Sequence, residues 1–149
     1  MRLNFSLLTS LAAAALAPFA SAAIVCPEAA RFGALSVTPS TAAPGDSITV
    51  NVNMACSQQL GYMPTYMDYY IEVLANNNGH EAPILLARRT YDASQGLTDT
   101  FTTQVPEWFY FSDAVYSVVY VNSFAKSGPN NNSVITTGSI STPLNITGI

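Results

Sequence analysis

SITVNVNMAC, residues 47–56, alternates apolar and polar side chains along most of its length. Because successive side chains of a β-strand point to opposite faces, this period of two predicts a strand with one buried face and one face in water. The polar positions Thr49, Asn51 and Asn53 would form the water face. We expect the buried face to consist of Ile48, Val50, Val52, Met54 and Cys56.

Segments of the same kind recur along the chain, separated by residues that favour turns. Ala-Pro-Gly-Asp at 43–46, Asn-Asn-Asn-Gly at 76–79 and Gly-Pro-Asn at 128–130 supply the backbone angles that turns need. Strands are predicted at 35–37, 48–56, 66–75, 83–91, 97–105, 113–124 and from 133 onward. About seven strands joined by turns predict an all-β fold, an immunoglobulin-like antiparallel β-sandwich.

The first 22 residues have the layout of a secretory signal peptide. Arg2 precedes an apolar run at 5–20, and Ala-Ser-Ala at 20–22 matches a cleavage site between small residues. The run is too short and too polar for a membrane span, and no second run of that kind follows. We therefore expect residues 1–22 to be removed and residues 23–149 to form one secreted domain, extracellular or in the cell wall, with no membrane span.

Two further features agree with export. Cys26 and Cys56 are the only cysteines, and an oxidising compartment would join them in a disulfide that closes a loop of about 30 residues. The sequons at Asn131 and Asn145 would be glycosylation acceptors in a secreted protein.

The segment Asp-Ala-Val-Tyr at 113–116, followed by Val118 and Tyr120, resembles the start of strand F in immunoglobulin-like domains. In those domains a tyrosine at this point is the tyrosine corner, with its hydroxyl bonded to the backbone. The resemblance implies that Tyr116 is buried and bonded to backbone near the preceding turn. The chain departs from antibody domains because no Cys lies two residues after Tyr116, and because Trp108 precedes this strand.

The chain after residue 22 also resembles the small, cysteine-poor secreted proteins of fungi, with which it shares low charge and many Ser and Thr residues. The segment 102–121 is similar to the N-terminal domain of fungal cell-wall assembly proteins. Those domains carry a Pro between two strands and a Tyr-x-Val on the second. These resemblances imply an extracellular protein that works among wall glycans and other secreted proteins.

The residue types that catalysis needs are scarce. His80 is the only His, and no Gly-x-Ser-x-Gly elbow holds a nucleophile. Asp68 and Glu72 would lie about 13 Å apart along one strand, whereas glycosidase carboxylates lie about 5–10 Å apart. We expect Glu72 to pair instead with Arg88 or Arg89 across the hairpin. One His and two paired cysteines cannot complete a zinc shell, so we expect no catalysis, no cofactor and no metal.

Aromatic side chains are the remaining candidates for a binding site. Four consecutive rings at 108–111 cannot all enter one core, because alternate side chains of an extended segment point to opposite faces. A second group, at 62–70, contains four Tyr. Exposed rings could stack on a sugar or anchor a protein, whereas buried rings would close the ends of the sandwich. The candidate binding residues are Trp108, Tyr110, Tyr62 and Tyr66.

Charge narrows the class of partner. Only 9% of the residues are charged and the net charge is −4, so the basic surface that nucleic-acid binding requires is not expected. The first hypothesis is a secreted, non-catalytic domain that acts by contact with a cell-wall glycan or a secreted protein. The alternative is a carbohydrate-binding module whose platform combines Trp108, Tyr110 and the tyrosines at 62–70.

Overall fold

The computed structural model describes residues 25–75 and 81–149, which form β-strands, one short α-helix and three 3₁₀ turns. The predicted signal peptide and the predicted turn at 76–79 lie outside these residues. The turns are Glu28–Ala30, Ala93–Gln95 and Pro129–Asn131. The longer elements are β1 (Ala34–Thr38), β2 (Thr41–Ala42), β3 (Ser47–Asn53), α1 (Ala55–Gln59), β4 (Tyr66–Val73), β5 (Ile84–Thr90), β6 (Thr98–Gln104), β7 (Tyr116–Ser127), β8 (Ser133–Pro143) and β9 (Asn145–Ile146).

The strands form two antiparallel sheets that enclose the core. One sheet has three strands in the order β1-β3-β6, and the other has four in the order β5-β4-β7-β8. A parallel pair, β2 with β9, joins the segment after β1 to the C-terminal segment. The predicted all-β sandwich is confirmed. Seven strands of five or more residues build the two sheets, and the two-residue strands β2 and β9 add to them in the described part of the chain.

The strand predicted at 48–56 is confirmed as β3, with one correction at its end. Ile48, Val50 and Val52 are fully buried, and β3 pairs with β1 on one side and β6 on the other. Cys56 does not continue the strand face, because the chain turns into α1 after Asn53. The side-chain oxygen of Asn53 accepts a hydrogen bond from the backbone N–H of Ala55 at 2.9 Å, which favours this turn.

The four-stranded sheet supplies the opposite half of the core. On β4 every second side chain is buried, as its alternating sequence predicts. β7 lies beside β4 with Tyr69 opposite Tyr120, and the rings of these two residues are 5.2 Å apart. The buried side chains of these two strands include Met67, Tyr69, Ile71, Val73, Tyr116, Val118 and Tyr120.

The predicted disulfide between Cys26 and Cys56 is present, with a Cα–Cα distance of 5.5 Å. It ties the segment before β1 to α1. Asn131 and Asn145, the asparagines of the two sequons, are both exposed. Their glycosylation stays a prediction.

A buried carboxylate connects the two sheets. Asp99, on β6 of the three-stranded sheet, is 2% exposed. It accepts a hydrogen bond at 2.8 Å from the hydroxyl of Tyr69 on β4. The Arg89 Nε on β5 donates a hydrogen bond to Asp99 Oδ1 at 3.0 Å and lies 2.8 Å from Oδ2, the oxygen that Tyr69 also contacts. Burial, followed by the hydrogen bond to Asp99, raises the pKa of the Tyr69 hydroxyl well above its usual range.

The expected ion pair of Glu72 with Arg88 or Arg89 is wrong. Arg88 pairs with Asp68 at 2.8 Å, and Arg89 is bound to Asp99 of the other sheet. The register explains the difference, because Arg88 lies opposite Asp68 and the pairing of β4 with β5 ends at Ile71. Glu72 therefore has no β5 residue opposite it, and its partial burial raises the pKa of its carboxyl.

The disulfide predicts a stability loss on its removal. Replacing both cysteines with Ser should lower the free energy of unfolding by about 3–4 kcal/mol, because the unfolded chain regains the entropy of a loop of about 30 residues. Urea unfolding followed by circular dichroism measures this difference. Dithiothreitol should destabilise the wild type and leave the double variant unchanged, whereas a wild type insensitive to the reductant would contradict the prediction.

The two Asp–Arg pairs, Asp99 with Arg89 between the sheets and Asp68 with Arg88 within one sheet, predict unequal costs. Asp99→Ala should lower the free energy of unfolding by about 3 kcal/mol or more, because Arg89 and the buried Tyr69 hydroxyl lose their shared partner. Asp68→Ala is the matched control, since it breaks the pair with the largely exposed Arg88 and should cost at most about 1 kcal/mol. Equal losses in urea unfolding would show that Asp99 does not couple the sheets.

Candidate functional site

The segment between β6 and β7 exposes most of its aromatic side chains. We call residues 106–112 the aromatic loop. Trp108 is 60% exposed, Phe109 is 82% exposed and Phe111 is 50% exposed. Only Tyr110 turns toward the core, where it packs against buried residues. The prediction that the four rings could not share one core is confirmed. Alternation along the segment predicted two outward rings, and the structure has three.

Tyr110 holds the aromatic loop in shape. Its hydroxyl donates a hydrogen bond to the backbone carbonyl of Pro106 at 2.9 Å. Its ring packs edge-on against the ring of Tyr116, with centroids 5.2 Å apart. Burial raises the pKa of Tyr110 to about 12. Tyr110, a candidate binding residue from the sequence, therefore positions the loop and is not part of its outer surface.

Tyr116 anchors the same loop from the first position of β7. It is 3% exposed, and its hydroxyl accepts a hydrogen bond at 2.9 Å from the backbone N–H of Phe111. The expectation that Tyr116 is buried and bonded to backbone near the preceding turn is confirmed by these contacts. The same hydroxyl donates to the carboxylate of Glu81, whose two oxygens lie 2.9 and 3.0 Å away.

Glu81 is a residue that the sequence reasoning missed. It is 8% exposed and precedes β5, and 35 positions separate it from Tyr116. The sequence around it carries no motif, so only the folded chain brings it to the tyrosine. Burial is the main cause that raises the pKa of Tyr116, and the hydrogen bond to Glu81 adds to it.

A cleft of about 480 Å³ lies beside the aromatic loop. Trp108, Phe109 and Phe111 form one wall, and residues 81–84, which lead into β5, form the other. The rings of Trp108 and Phe109 have centroids 6.0 Å apart and planes inclined by 65°. The two rings therefore form a corner and not a flat row.

Tyr62 and Tyr66, the other candidate residues, lie at the opposite end of the sandwich. We call this the α1 end, and we call the end with the aromatic loop the loop end. Tyr66 pairs with Ser123, seven positions along β4 from the pairing of Val73 with Tyr116. At about 3.3 Å per residue this separation is about 23 Å. The structure therefore does not join the four candidate residues into one platform.

The rings at the α1 end form a closed cluster. Tyr62 packs against Phe32 and Phe124, with ring centroids 5.4 and 5.0 Å away. The Lys126 ammonium lies 4.1 Å from the centroid of the Tyr62 ring. Tyr66 is half-exposed beside Asp68 and Arg88. Tyr62 therefore closes this end of the sandwich, which agrees with the alternative that buried rings close the sandwich ends.

Charges are distributed unequally between the two ends. The basic residues that the structure describes lie toward the α1 end, where they contact aromatic rings or carboxylates of that half. They are Arg31, Arg88, Arg89 and Lys126. The loop end carries only carboxylates within the described ranges. These are Asp46, Glu72, Glu81, Glu107 and Asp113.

Within 25–75 and 81–149, no group of three or more His, Cys, Asp or Glu side chains is arranged to hold a metal ion. The same ranges contain no helix of the length and apolarity that a membrane span requires. His80 lies outside the described residues.

No protein-family model matches the chain, and no curated protein is similar to it in sequence. The function is therefore inferred from the chemistry of the cleft and the aromatic loop.

The tyrosine anchor predicts a stability loss when its hydroxyl is removed. Tyr116→Phe should lower the free energy of unfolding by about 2–3 kcal/mol, because the buried Glu81 carboxylate and the Phe111 N–H both lose a partner. Iodide quenching of Trp108, the only Trp, should rise as the loop loosens. Tyr66→Phe is the control, because Tyr66 is half-exposed. Equal unfolding curves for the two variants would contradict an anchoring role for Tyr116.

Proposed function

We propose that the chain is a secreted, non-catalytic binding domain that acts by contact with extracellular or cell-wall components through its aromatic loop. The observation that carries the proposal is the exposure of Trp108, Phe109 and Phe111 beside one cleft. A contiguous exposed apolar surface of this kind is typical of interaction sites. Trp in particular is enriched among the residues that dominate binding energy.

The anchoring of the loop supports a binding role. Two hydrogen bonds fix the backbone of the loop. The Tyr110 hydroxyl donates one to the Pro106 carbonyl, and the Phe111 N–H donates the other to the Tyr116 hydroxyl. A loop that is already ordered loses little conformational entropy on binding. The fold therefore presents the rings in a geometry prepared for contact.

Secretion is supported by the covalent chemistry of the chain. The disulfide between Cys26 and Cys56 is the kind of bond that persists in oxidising compartments. The layout of residues 1–22, read from the sequence, is that of an export signal. Together these features favour a location outside the cell or in its wall.

The composition of the cleft supports a non-catalytic role. Glu81 is the one carboxylate among its described lining residues, and its oxygens accept from the Tyr116 hydroxyl. Sugar hydrolysis by the usual mechanism requires two carboxylates about 5–10 Å apart. The aromatic walls of the cleft suit the binding of a partner better than catalysis by proton transfer.

The second candidate function is a carbohydrate-binding module. Exposed Trp and Phe rings favour it, because such rings stack on the apolar faces of sugars. The 65° angle between Trp108 and Phe109 favours the first candidate, since a flat polysaccharide chain stacks best on coplanar rings. A partner that projects into the corner between the rings fits this geometry more closely.

Binding to isolated cell walls tests the two candidates. Wild-type protein should sediment with walls from the producing organism. Trp108→Ala should reduce the bound fraction at least about fivefold, because an aromatic side chain that becomes buried on binding contributes about 1–2 kcal/mol or more to the binding free energy. Tyr66→Ala, a half-exposed ring at the α1 end, is the matched control and should bind as the wild type does.

Extraction of wall proteins separates a protein contact from a glycan contact. Loss of binding after extraction would support contact with a wall protein, whereas binding to the extracted walls and to pure wall polysaccharide would support the carbohydrate-binding module. If Trp108→Ala binds as well as the wild type, or if the wild type binds no wall fraction, the aromatic loop is not the contact surface.

A further inference from the structure

The carboxylate of Glu81 is nearly buried, at 8% exposure, and it borders the cleft. Among the residues that the structure describes, its oxygens accept hydrogen bonds from the Tyr116 hydroxyl. A carboxylate can accept about four hydrogen bonds. Burial of a carboxylate is unfavourable unless a cation or several donors balance it. The ion pairs within the described residues involve Glu28, Asp68 and Asp99 instead.

The cleft next to Glu81 has walls that attract cations. The faces of Trp and Phe rings carry partial negative charge, and a cation held within about 6 Å of such a face is stabilised. Trp108, Phe109 and Phe111 line the cleft together with Glu81. The 65° angle between the first two rings allows one compact cation to contact both.

The charged side chains that the structure describes at the loop end are all negative, as Glu81 is. These charged side chains are carboxylates, while Lys126 and the described arginines lie toward the α1 end. A surface of uniform sign attracts a partner of opposite sign and orients it during approach. The complementary ligand is therefore positively charged.

We propose that this cleft binds an arginine or lysine side chain from a basic segment of an extracellular protein. The proposal rests on the proposed function and names the partner that the aromatic loop recognises. The aliphatic part of the side chain packs against the corner that Trp108 and Phe109 form, and its charged end reaches the Glu81 carboxylate. Arginine fits best, because its guanidinium stacks on rings and forms paired hydrogen bonds with a carboxylate.

A protein segment fits the loop end better than a cationic amino sugar does. A sugar ring stacks through one flat face, whereas the rings of Trp108 and Phe109 are inclined by 65° and do not form one flat platform. Glu107 and Asp113, on either side of the aromatic residues, extend the negative charge beyond the cleft. Several basic residues of one segment can contact such a surface at the same time.

Fluorescence of Trp108 tests the proposal on the secreted protein. Four blocked peptides of the pattern Gly-Ser-X-Gly-Ser-X-Gly, with X as Arg, Lys, Gln or Glu, serve as probes, and a glucosamine hexamer tests the amino sugar. The Arg peptide should bind at least about tenfold more tightly than the Gln peptide, because a charged hydrogen bond and ring stacking add to the contact. Raising the salt concentration should weaken its binding.

Glu81→Gln isolates the charge of the carboxylate. The Gln amide oxygen can still accept from the Tyr116 hydroxyl, so the loop anchor is retained while the charge is removed. Affinity for the Arg peptide should fall about five- to tenfold, with no change for the Gln peptide. Glu28→Gln is the matched control, because Glu28 is exposed at the α1 end beside Arg31, and its affinity should equal that of the wild type.

The outcomes separate this proposal from the proposed function. Equal affinity for the Arg and Gln peptides, unchanged affinity in Glu81→Gln, or tighter binding of the glucosamine hexamer would each overturn the basic-segment proposal. If Trp108→Ala still loses wall binding in that case, the proposed function stands without it. If Glu81→Gln does not fold, the peptide series and the salt dependence of the wild type decide the question.

Discussion

Asp99 is a buried carboxylate between the two sheets, and the closure of the sandwich depends on it. The residue lies on β6, while its partners Tyr69 and Arg89 lie on β4 and β5 of the opposite sheet. Its burial would be costly alone, but a hydroxyl and a guanidinium satisfy its oxygens together. The network holds the β5–β6 side of the sandwich closed, so that the apolar faces of β3 and β4 stay in contact.

The two open ends of the sandwich are completed in different ways. At the α1 end, the rings of Phe32, Tyr62 and Phe124 pack on one another under Lys126. Gly138 on β8 is required there, because a Cβ at this position would collide with the Phe32 ring. Within the aromatic loop only Tyr110 turns inward, and the rings of Trp108, Phe109 and Phe111 stay in water. This asymmetry makes the loop end the candidate contact surface.

Two kinds of feature could be predicted from the sequence. The alternation of β3 and β4 predicted both strands and their buried faces, because a period of two has a direct structural meaning. The two cysteines predicted their disulfide, since no other pairing within the chain exists. Tyr116 was identified through its resemblance to the tyrosine corner, and its contacts agree. Each of these features could be predicted because it depends on a local sequence pattern or because few residues could be its partner.

The sequence by itself determined the strands, the fold class, the disulfide and the fact that four adjacent rings could not all be buried. Only the tertiary structure decided which rings face water, that Tyr62 lies far from Trp108, and that Glu81 meets Tyr116. It also decided that Arg89 binds Asp99 and not Glu72. These facts depend on strand register and on contacts between residues distant in the chain, and a local period of two carries no information about which strand lies opposite another.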